Sequence, residues 1–430
     1  MMKMNKYEQK NVIADLKKRG FFEAFSSEEL EKFCSKPIKV YIGFDPTADS
    51  LHLGNLVGIV ALRWFQLYGH TPYVLMGGGT GCIGDPSGKS KERTLLDEET
   101  IRFNISRIEE LFSRFLSSNG TNHFKLVNNM DWLGKMTAIE FLRDVGKHFR
   151  LGPMLSKESV KQRMQSEEGM SFTEFSYQVL QGFDFYHLFE SDQVHLQMGG
   201  SDQWGNITAG IEYTRKMTGK TVYGATFPLL TRSDGKKFGK SEDGAIFLHK
   251  EKCSYFDFYQ YFMKVPDADC IKLLKMLTFL SLEEIENFQK QSELGRLGPN
   301  ELQKILAKEL TLFVHGEEGL QVAQRVTDAA SFGKDMTLDY ETLLKISSEF
   351  PKKELLISEM IDQKFIEVAV KVGLSASKSE ATRLIKNQGA YLNNKRVELV
   401  DYVIKKEDLI GNKFLLLSSG KKTKLLVEGI

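Results

Sequence analysis

Cysteine is scarce in this chain: Cys34, Cys82, Cys253 and Cys270 are its only four in 430 residues, and none forms a Cys-x-x-Cys pair. That spacing argues against a structural zinc site, and so few thiols in so long a chain point to a reducing compartment. Net charge is nearly absent at +1, so a nucleic-acid partner has to be met by local patches rather than a global field. Long apolar runs are missing: Leu56–Leu62 is broken by Arg63 and is too short to span a bilayer. The opening MMKMNKYEQK is charged and carries no apolar core, which gives no secretory signal. Internal repeats and low-complexity tracts are absent as well. What is present is 41% hydrophobic and 27% charged residues, an ordinary globular composition long enough for two or three domains. A cytoplasmic protein without membrane partners is expected.

Up to about residue 230, strand-like and helix-like runs alternate, as in a parallel sheet covered by helices. Lys39–Phe44 reads as a buried strand and about His52–Leu67 as the helix after it. Thr71–Met76 is a second strand, running into the glycine loop Gly77-Gly78-Gly79-Thr80-Gly81. Glu98–Leu116 spaces Ile101, Ile105, Ile108, Phe112 and Phe115 by three and four, an amphipathic helix. Further strands are expected at Phe124–Val127, Val194–Met198 and Val222–Phe227. In such sheets ligands bind beyond the carboxyl ends of the strands. The expected organisation is an α/β, Rossmann-like domain over 1–245, a helical domain over 246–330, a linker over 331–357 and a small α+β domain over 358–430. That last segment is basic: residues 361–430 hold 13 Lys/Arg against 8 Asp/Glu, a local excess of +5.

Two short words stand out. His52-Leu53-Gly54-Asn55 opens a helix after the polar turn Asp45–Ser50, and helix starts offer free N–H groups to phosphate. On its own this tetrapeptide is far more often just a capped surface helix. Lys237-Phe238-Gly239-Lys240-Ser241 lies in a glycine-containing loop dense in positive charge and expected to be mobile. Alone it is a solvated basic loop or a clamp on a polyphosphate. The helix from Phe172 carries a third pattern. Tyr177, Gln181 and Asp184 fall within about 60° of one another at 100° per residue, opposite Phe172, Phe175, Val179, Phe183 and Tyr186. By periodicity that polar stripe is an exposed face or the wall of a pocket, the exposed face being commoner.

In order and context, HLGN and KFGKS resemble the HIGH and KMSKS motifs of class I aminoacyl-tRNA synthetases. The second departs at Phe238 and Gly239; the first has Leu53 and Asn55 in place of Ile and His. Four further segments, Tyr41–Ser50, Gly84–Lys89, Phe172–Asp184 and Gly199–Asn206, closely resemble bacterial-type tyrosyl-tRNA synthetases. The likeness extends from about Tyr7 to the C-terminus.

This resemblance implies roles residue by residue. Tyr41 and Asp184 match the pair that reads the substrate phenol. Tyr177, Gln181 and Asp85 match the groups around its α-ammonium, and Gln203 one near its carboxylate. Asp202 matches the ribose-binding carboxylate. Gly43, Asp45, His52, Gly54 and Asn55 match ATP-site positions. Thr47, Lys89, Arg93, Lys237, Lys240 and Ser241 match those around the β,γ-phosphates. The implied partners are L-tyrosine, ATP with Mg²⁺, tRNA(Tyr) and a second copy in a homodimer, with no tightly bound protein metal. The implied chemistry needs no serine or cysteine nucleophile, since the substrate carboxylate itself attacks ATP. Tyrosyl-tRNA synthetases are themselves the reference case for hydroxyl-based rejection of phenylalanine, about 10⁴–10⁵-fold without editing. No insertion large enough for an editing domain is evident here. Asp184 with Tyr41 argues against the related tryptophan enzymes.

The C-terminal segment resembles S4 RNA-binding domains. Ser377-Lys378-Ser379-Glu380 has capping-box form, Gly389 is the expected helix stop, and Asn393-Asn394 the expected turn of a tight hairpin. Lys378, Arg383, Lys386, Lys395 and Arg396 are the residues expected to meet RNA phosphates, although basic helices are more often simply solvated.

Overall fold

The computed structural model describes residues 11–87, 96–167, 169–233, 238–241, 244–329, 340, 343–344, 347, 351–420 and 423–430. They form two compact units: residues up to Cys253 together with Phe262–Val314, and Ser254–Tyr261 together with His315–Ile430.

The first unit is built on a six-stranded sheet of β1 (Ala24–Phe25), β2 (Lys39–Phe44), β3 (Thr71–Met76), β4 (Lys125–Asn128), β5 (Val194–Gly200) and β6 (Tyr223–Phe227). Their spatial order is β1-β6-β5-β2-β3-β4. All pairs are parallel except β1 with β6. Val40, Tyr41, Ile42 and Phe44 of the central strand β2 are buried, the continuous apolar pattern of a sheet covered on both faces. The strand order reverses at β2, which pairs with β3 on one side and β5 on the other. In an open parallel sheet that reversal opens a crevice beyond the carboxyl ends.

Four helices make the crossovers. Leu53–Leu67 follows β2 and buries Leu56, Ile59, Trp64 and Phe65. Glu98–Phe115 is capped by Asp97, which accepts the Thr100 N–H at 2.8 Å, and buries Ile101, Ile105, Ile108, Phe112 and Phe115. Phe172–Asp192 starts at Ser171, whose hydroxyl accepts the Glu174 N–H, and ends at Gln193 in a left-handed turn (φ 57°) leading directly into β5. Trp204–Thr218 joins β5 to β6. The strands expected from sequence at 39–44 and 71–76 have those bounds, and the other expected strands shift by one or two residues.

Helices Tyr255–Met263, Asp267–Leu277, Leu282–Glu293 and Glu301–Ala329 follow, the last with a non-helical break at Gly316. They divide between the two units rather than standing apart. Between β6 and these helices a short hairpin pairs β7 (Lys240–Ser241) with β8 (Gly244–Ala245).

The second unit contains a five-stranded sheet of β9 (Lys352–Leu355), β10 (Ala390–Leu392), β11 (Lys395–Arg396), β12 (Phe414–Ser419) and β13 (Thr423–Gly429), in the order β11-β10-β12-β13-β9. Strand β9 lies within the stretch expected as linker. It has no apolar alternation and forms as an edge by parallel pairing with β13. Phe365, Val368, Ala381, Ile385, Leu415 and Leu417 share its core. Asn393 and Asn394 take φ 51° and 64° between β10 and β11, the left-handed pair that a two-residue hairpin requires. Two details differ from expectation. Ser377 caps its helix through the Glu380 N–H, but the Glu380 carboxylate reaches the Ala376 N–H rather than that of Ser377. The helix stops with Gln388 in the left-handed conformation, one residue before Gly389.

Candidate active site

A cavity of about 390 Å³ opens at the β2/β5 reversal. Strand β2 contributes Tyr41 and Gly43, two residues apart and so on one face. The turn after it supplies Asp45 and Thr47. The helix start supplies His52, Gly54 and Asn55, and the loop after β3 supplies Asp85. The long helix adds Tyr177, Gln181 and Asp184, and the turn after β5 adds Asp202 and Gln203. The stripe on the long helix therefore faces the cavity and not solvent. Its apolar back divides: Val179, Phe175, Phe183 and Tyr186 pack with Val145, Met154 and Tyr213, while Phe172 is 75% exposed.

Asp184 is the most enclosed carboxylate of the site, at 1% exposure. Oδ1 accepts the indole N–H of Trp132 at 2.8 Å and Oδ2 the side-chain amide of Asn129 at 2.9 Å. Burial drives its pKa up to about 7, the two donors pull it down, and Asp45 pushes it up. Burial also raises the Tyr41 phenol well above its usual range, with Asp184 adding to the effect, so Tyr41 is a protonated donor at neutral pH. Its hydroxyl is buried without a hydrogen-bond partner. An unmatched buried hydroxyl costs about 1–3 kcal/mol, a loss that a polar ligand would recover.

Further along the crevice, Asp45 accepts the Tyr177 hydroxyl at Oδ2 (2.8 Å) and the Thr80 hydroxyl at Oδ1 (2.9 Å). A Cβ on Gly77 would lie 2.0 Å from Asp45 Oδ1, so the glycine loop makes room for this carboxylate. Asp85 accepts the Ser87 N–H at 3.0 Å and the Gln203 side-chain amide at 2.7 Å. Asn206 donates to Gln181 at 3.0 Å.

The helix-opening signature is a reciprocal cap. His52 Nδ1 accepts the Gly54 N–H at 3.0 Å, and Asn55 Oδ1 accepts the His52 backbone N–H at 3.0 Å. Accepting at Nδ1 leaves the ring proton of neutral His52 on Nε2. Gly54 is required because a Cβ there would meet His52 Cε1 at 2.8 Å. Of the second signature, Lys237 lies outside the described residues, as do Lys89 and Arg93. Lys240 is exposed on β7 and is not part of the cavity wall; Ser241 pairs with Gly244 through its backbone. The two signatures nevertheless meet. Gly239 (φ 81°) approaches Leu53 and Gly54 so closely that a Cβ would sit 3.0 Å from Leu53 Cβ. Its carbonyl accepts the Ile246 N–H, while the Ile246 carbonyl accepts that of Leu53. The departure from KMSKS at position 239 thus has a steric reason.

Sequence reasoning assigned no role to Asn129, Trp132, Gln197 or Asn206. Gln197, 2% exposed with its Oε1 unmatched, lines the cavity from β5. A glutamine on the same strand face as His195, inside the expected buried strand Val194–Met198, was a signal for it. Asn129 follows β4 at its carboxyl end, where ligand-site residues are expected. Among the described residues no group of three or more His, Cys, Asp or Glu is placed to hold a metal ion, and no helix is long and apolar enough to cross a membrane.

Residues 34–330 match the family model for class I tRNA synthetases of the W and Y type, and 345–427 the model of a tyrosine–tRNA ligase SYY-like C-terminal domain. The chain is 51% identical to tyrosine–tRNA ligase of Protochlamydia amoebophila, over 97% of this chain and 99% of that one. It is 47% identical to the chloroplastic/mitochondrial tyrosine–tRNA ligase of Arabidopsis thaliana, over 97% of this chain and 83% of that one. Among solved structures, a C-terminally truncated mitochondrial tyrosyl-tRNA synthetase of Aspergillus nidulans superposes with a TM-score of 0.66 at 30% identity, covering 74% of this chain and 94% of that one. A buried, doubly held carboxylate at a parallel-sheet switch point and full-length identity of this order have one common explanation: the chain belongs to the bacterial-type tyrosine–tRNA ligases, class I aminoacyl-tRNA synthetases.

Proposed function

We propose that tyrosine lies in the cavity with its phenol between Asp184 and Tyr41, and ATP along the side lined by His52, Asp202 and Asn55. The observation that carries this reading is the buried, unmatched Tyr41 hydroxyl beside a carboxylate already held by Asn129 and Trp132. A substrate hydroxyl would donate to Asp184 and accept from Tyr41; phenylalanine would leave both unmatched. Tyr177, Gln181 and Asp85 would surround the α-ammonium, and Gln203 would stand near the carboxylate.

The first step joins a tyrosine carboxylate oxygen to the α-phosphorus of ATP. The bond from that phosphorus to the α,β-bridging oxygen breaks, and pyrophosphate leaves. In the second, the 3′-terminal ribose hydroxyl of tRNA(Tyr) attacks the adenylate carbonyl and AMP leaves. His52, with its Nε2–H, and Lys240 would stabilise charge on the phosphoryl oxygens, and Gly43, Asp45, Thr47, Gly54 and Asn55 would complete the nucleotide side. Lys89, Arg93, Lys237 and Ser241 are assigned to the β,γ-phosphates by resemblance alone. Mg²⁺ would enter on the ATP phosphates rather than in a cage of protein carboxylates.

Residues 1–245 would be the catalytic domain, 246–330 the anticodon-side helices and 358–430 an S4-like RNA contact after the 331–357 linker. Lys378, Arg383, Lys386, Lys395 and Arg396 are all exposed, which supports a phosphate-facing role. A homodimer is supported by Ile139, Leu142, Leu151, Leu155, Met164 and Phe172, large apolar side chains exposed within one stretch of chain. The four free thiols accord with the cytoplasm.

Amino-acid-dependent ATP–pyrophosphate exchange with tyrosine, tryptophan and phenylalanine tests the site. Strong preference for tyrosine that collapses in Asp184→Ala is expected; a preference surviving that change would overturn the assignment.

A further inference from the structure

Asp184 is gripped from two sides, and the two grips are built differently. Asn129 is fully buried, and its own Oδ1 accepts the Gly79 N–H at 2.7 Å, so the backbone of the glycine loop fixes its orientation. Trp132 has a weaker mount. It sits on the single turn Met130–Leu133, none of whose residues is buried. Its ring packs against the partly aromatic cluster containing Tyr41, Tyr73 and Phe185. Its other contact of note is His187, whose ring lies 4.3 Å from the indole centroid at an interplanar angle of 22°, a stacked pair.

His187 belongs to the same helix as Asp184, three residues on, and so rises beside it on the helix surface. Phe183 also flanks it, with ring centroids 6.3 Å apart. Partial burial lowers the pKa of its imidazole; Asp192 raises it and Lys135 lowers it again, so a neutral ring stacks at pH 7. The helix that carries the hydroxyl-reading carboxylate thus also carries the ring that holds the donor to that carboxylate.

We propose that His187 is a positioning residue for substrate specificity: by stacking on Trp132 it keeps the indole N–H on Asp184 Oδ1, and with it the direction in which Asp184 meets a substrate hydroxyl. This rests on the assignment of Asp184 as the reader of that hydroxyl. Histidine touches neither substrate nor ATP in this role; any flat ring at position 187 would serve.

Pyrophosphate exchange by the full chain, with tyrosine and with phenylalanine, separates the alternatives. In His187→Ala the KM for tyrosine should rise about three- to tenfold, the worth of one aromatic stack. The tyrosine-over-phenylalanine ratio should fall by the same factor, with the KM for ATP unchanged. His187→Phe restores the stack and should return both to wild-type values. Trp132 emission, taken as the difference from Trp132→Phe, should become more accessible to acrylamide in His187→Ala but not in His187→Phe. An unchanged tyrosine KM in His187→Ala, an equal change in the KM for ATP, or no rescue by phenylalanine at this position overturns the proposal. Asp184→Asn keeps the two levels apart. If it leaves the tyrosine-over-phenylalanine ratio intact, the assignment of Asp184 has failed; if it destroys the ratio while His187→Ala does not, only the role of His187 has.

Discussion

The two ends of the cavity are built on opposite principles. At the end proposed for the amino acid Tyr41, Asn129 and Asp184 are buried, and Asp184 is held by Trp132 and by Asn129, which the Gly79 N–H fixes in turn. Their desolvation cost is met on folding, so a ligand of the wrong polarity finds no water to make up the difference. At the end proposed for the nucleotide His52 and Gly54 are exposed, as is Lys240 outside the cavity wall, and order comes from a helix cap and from the contact of Gly239 with Leu53 and Gly54. Such groups bind charge without discriminating finely between ligands. On the proposed assignment, rigidity lies where two amino acids differ by one hydroxyl, and exposed charge where phosphates would arrive and depart.

The largest effect that would break this comparison is at Asp184. Replacing it by alanine should lower kcat/KM for tyrosine about 10³-fold, the scale for removing one member of a buried charged network, with the KM for ATP nearly unchanged. Parallel losses for both substrates in pyrophosphate exchange would mean that the ends are not separate. Next in size is Lys240→Ala, expected to slow adenylate formation about 10²-fold in single turnover while tyrosine affinity, from equilibrium dialysis, stays the same. A change confined to tyrosine affinity would place Lys240 at the wrong end.

Much of this division was legible in the sequence, though unevenly. Strands β2 and β3 and the helix Glu98–Phe115 were readable because each buries a regular pattern that is locally encoded. Asn393-Asn394 was readable because few residues tolerate two consecutive left-handed positions. Strand β9, Lys-Lys-Glu-Leu, was not, since an edge strand without alternation exists only through its neighbour. The stripe Tyr177–Gln181–Asp184 was visible as a stripe, but periodicity cannot say whether a polar face meets water or a cavity; the packing of Val179 and its neighbours decides that. Asn129 and Trp132 were missed because they reach Asp184 across more than fifty residues and carry no local pattern.

The amino-acid end should also have a cost in stability. The folded pKa of Asp184 is raised to about 7 against 3.8 for an ordinary aspartate. For an acid shifted upward, the folded state binds the proton more tightly. The penalty is therefore complete above pH 7 and fades as pH falls from 7 toward 4. At about 1.4 kcal/mol per unit, the ceiling is ~4 kcal/mol. Asp184→Asn turns one of two acceptors into a donor facing donors, which offsets about half of that. Urea unfolding should show the variant about 2 kcal/mol more stable at pH 8, with the gap closing toward pH 5. A gap that widens on acidification would contradict the sign.

The smallest effect, at Asn55, separates structure from binding at the nucleotide end. Its Oδ1 closes the cap on the His52 N–H, and it lies on the stretch of cavity wall proposed for ATP. Asn55→Ala removes both contributions and should cost about 1 kcal/mol in urea unfolding, with a raised KM for ATP. Asn55→Asp retains the acceptor, and a negative charge at a helix start is favourable, so stability should match or exceed wild type. The same charge would face an incoming polyphosphate, so the KM for ATP should rise further than in Asn55→Ala. Should Asn55→Asp lose as much stability as Asn55→Ala, the cap is not what Asn55 contributes. Should its KM for ATP stay at the wild-type value, the exposed end of the cavity does not select its ligand by charge at this position, and the contrast between the two ends narrows to burial alone.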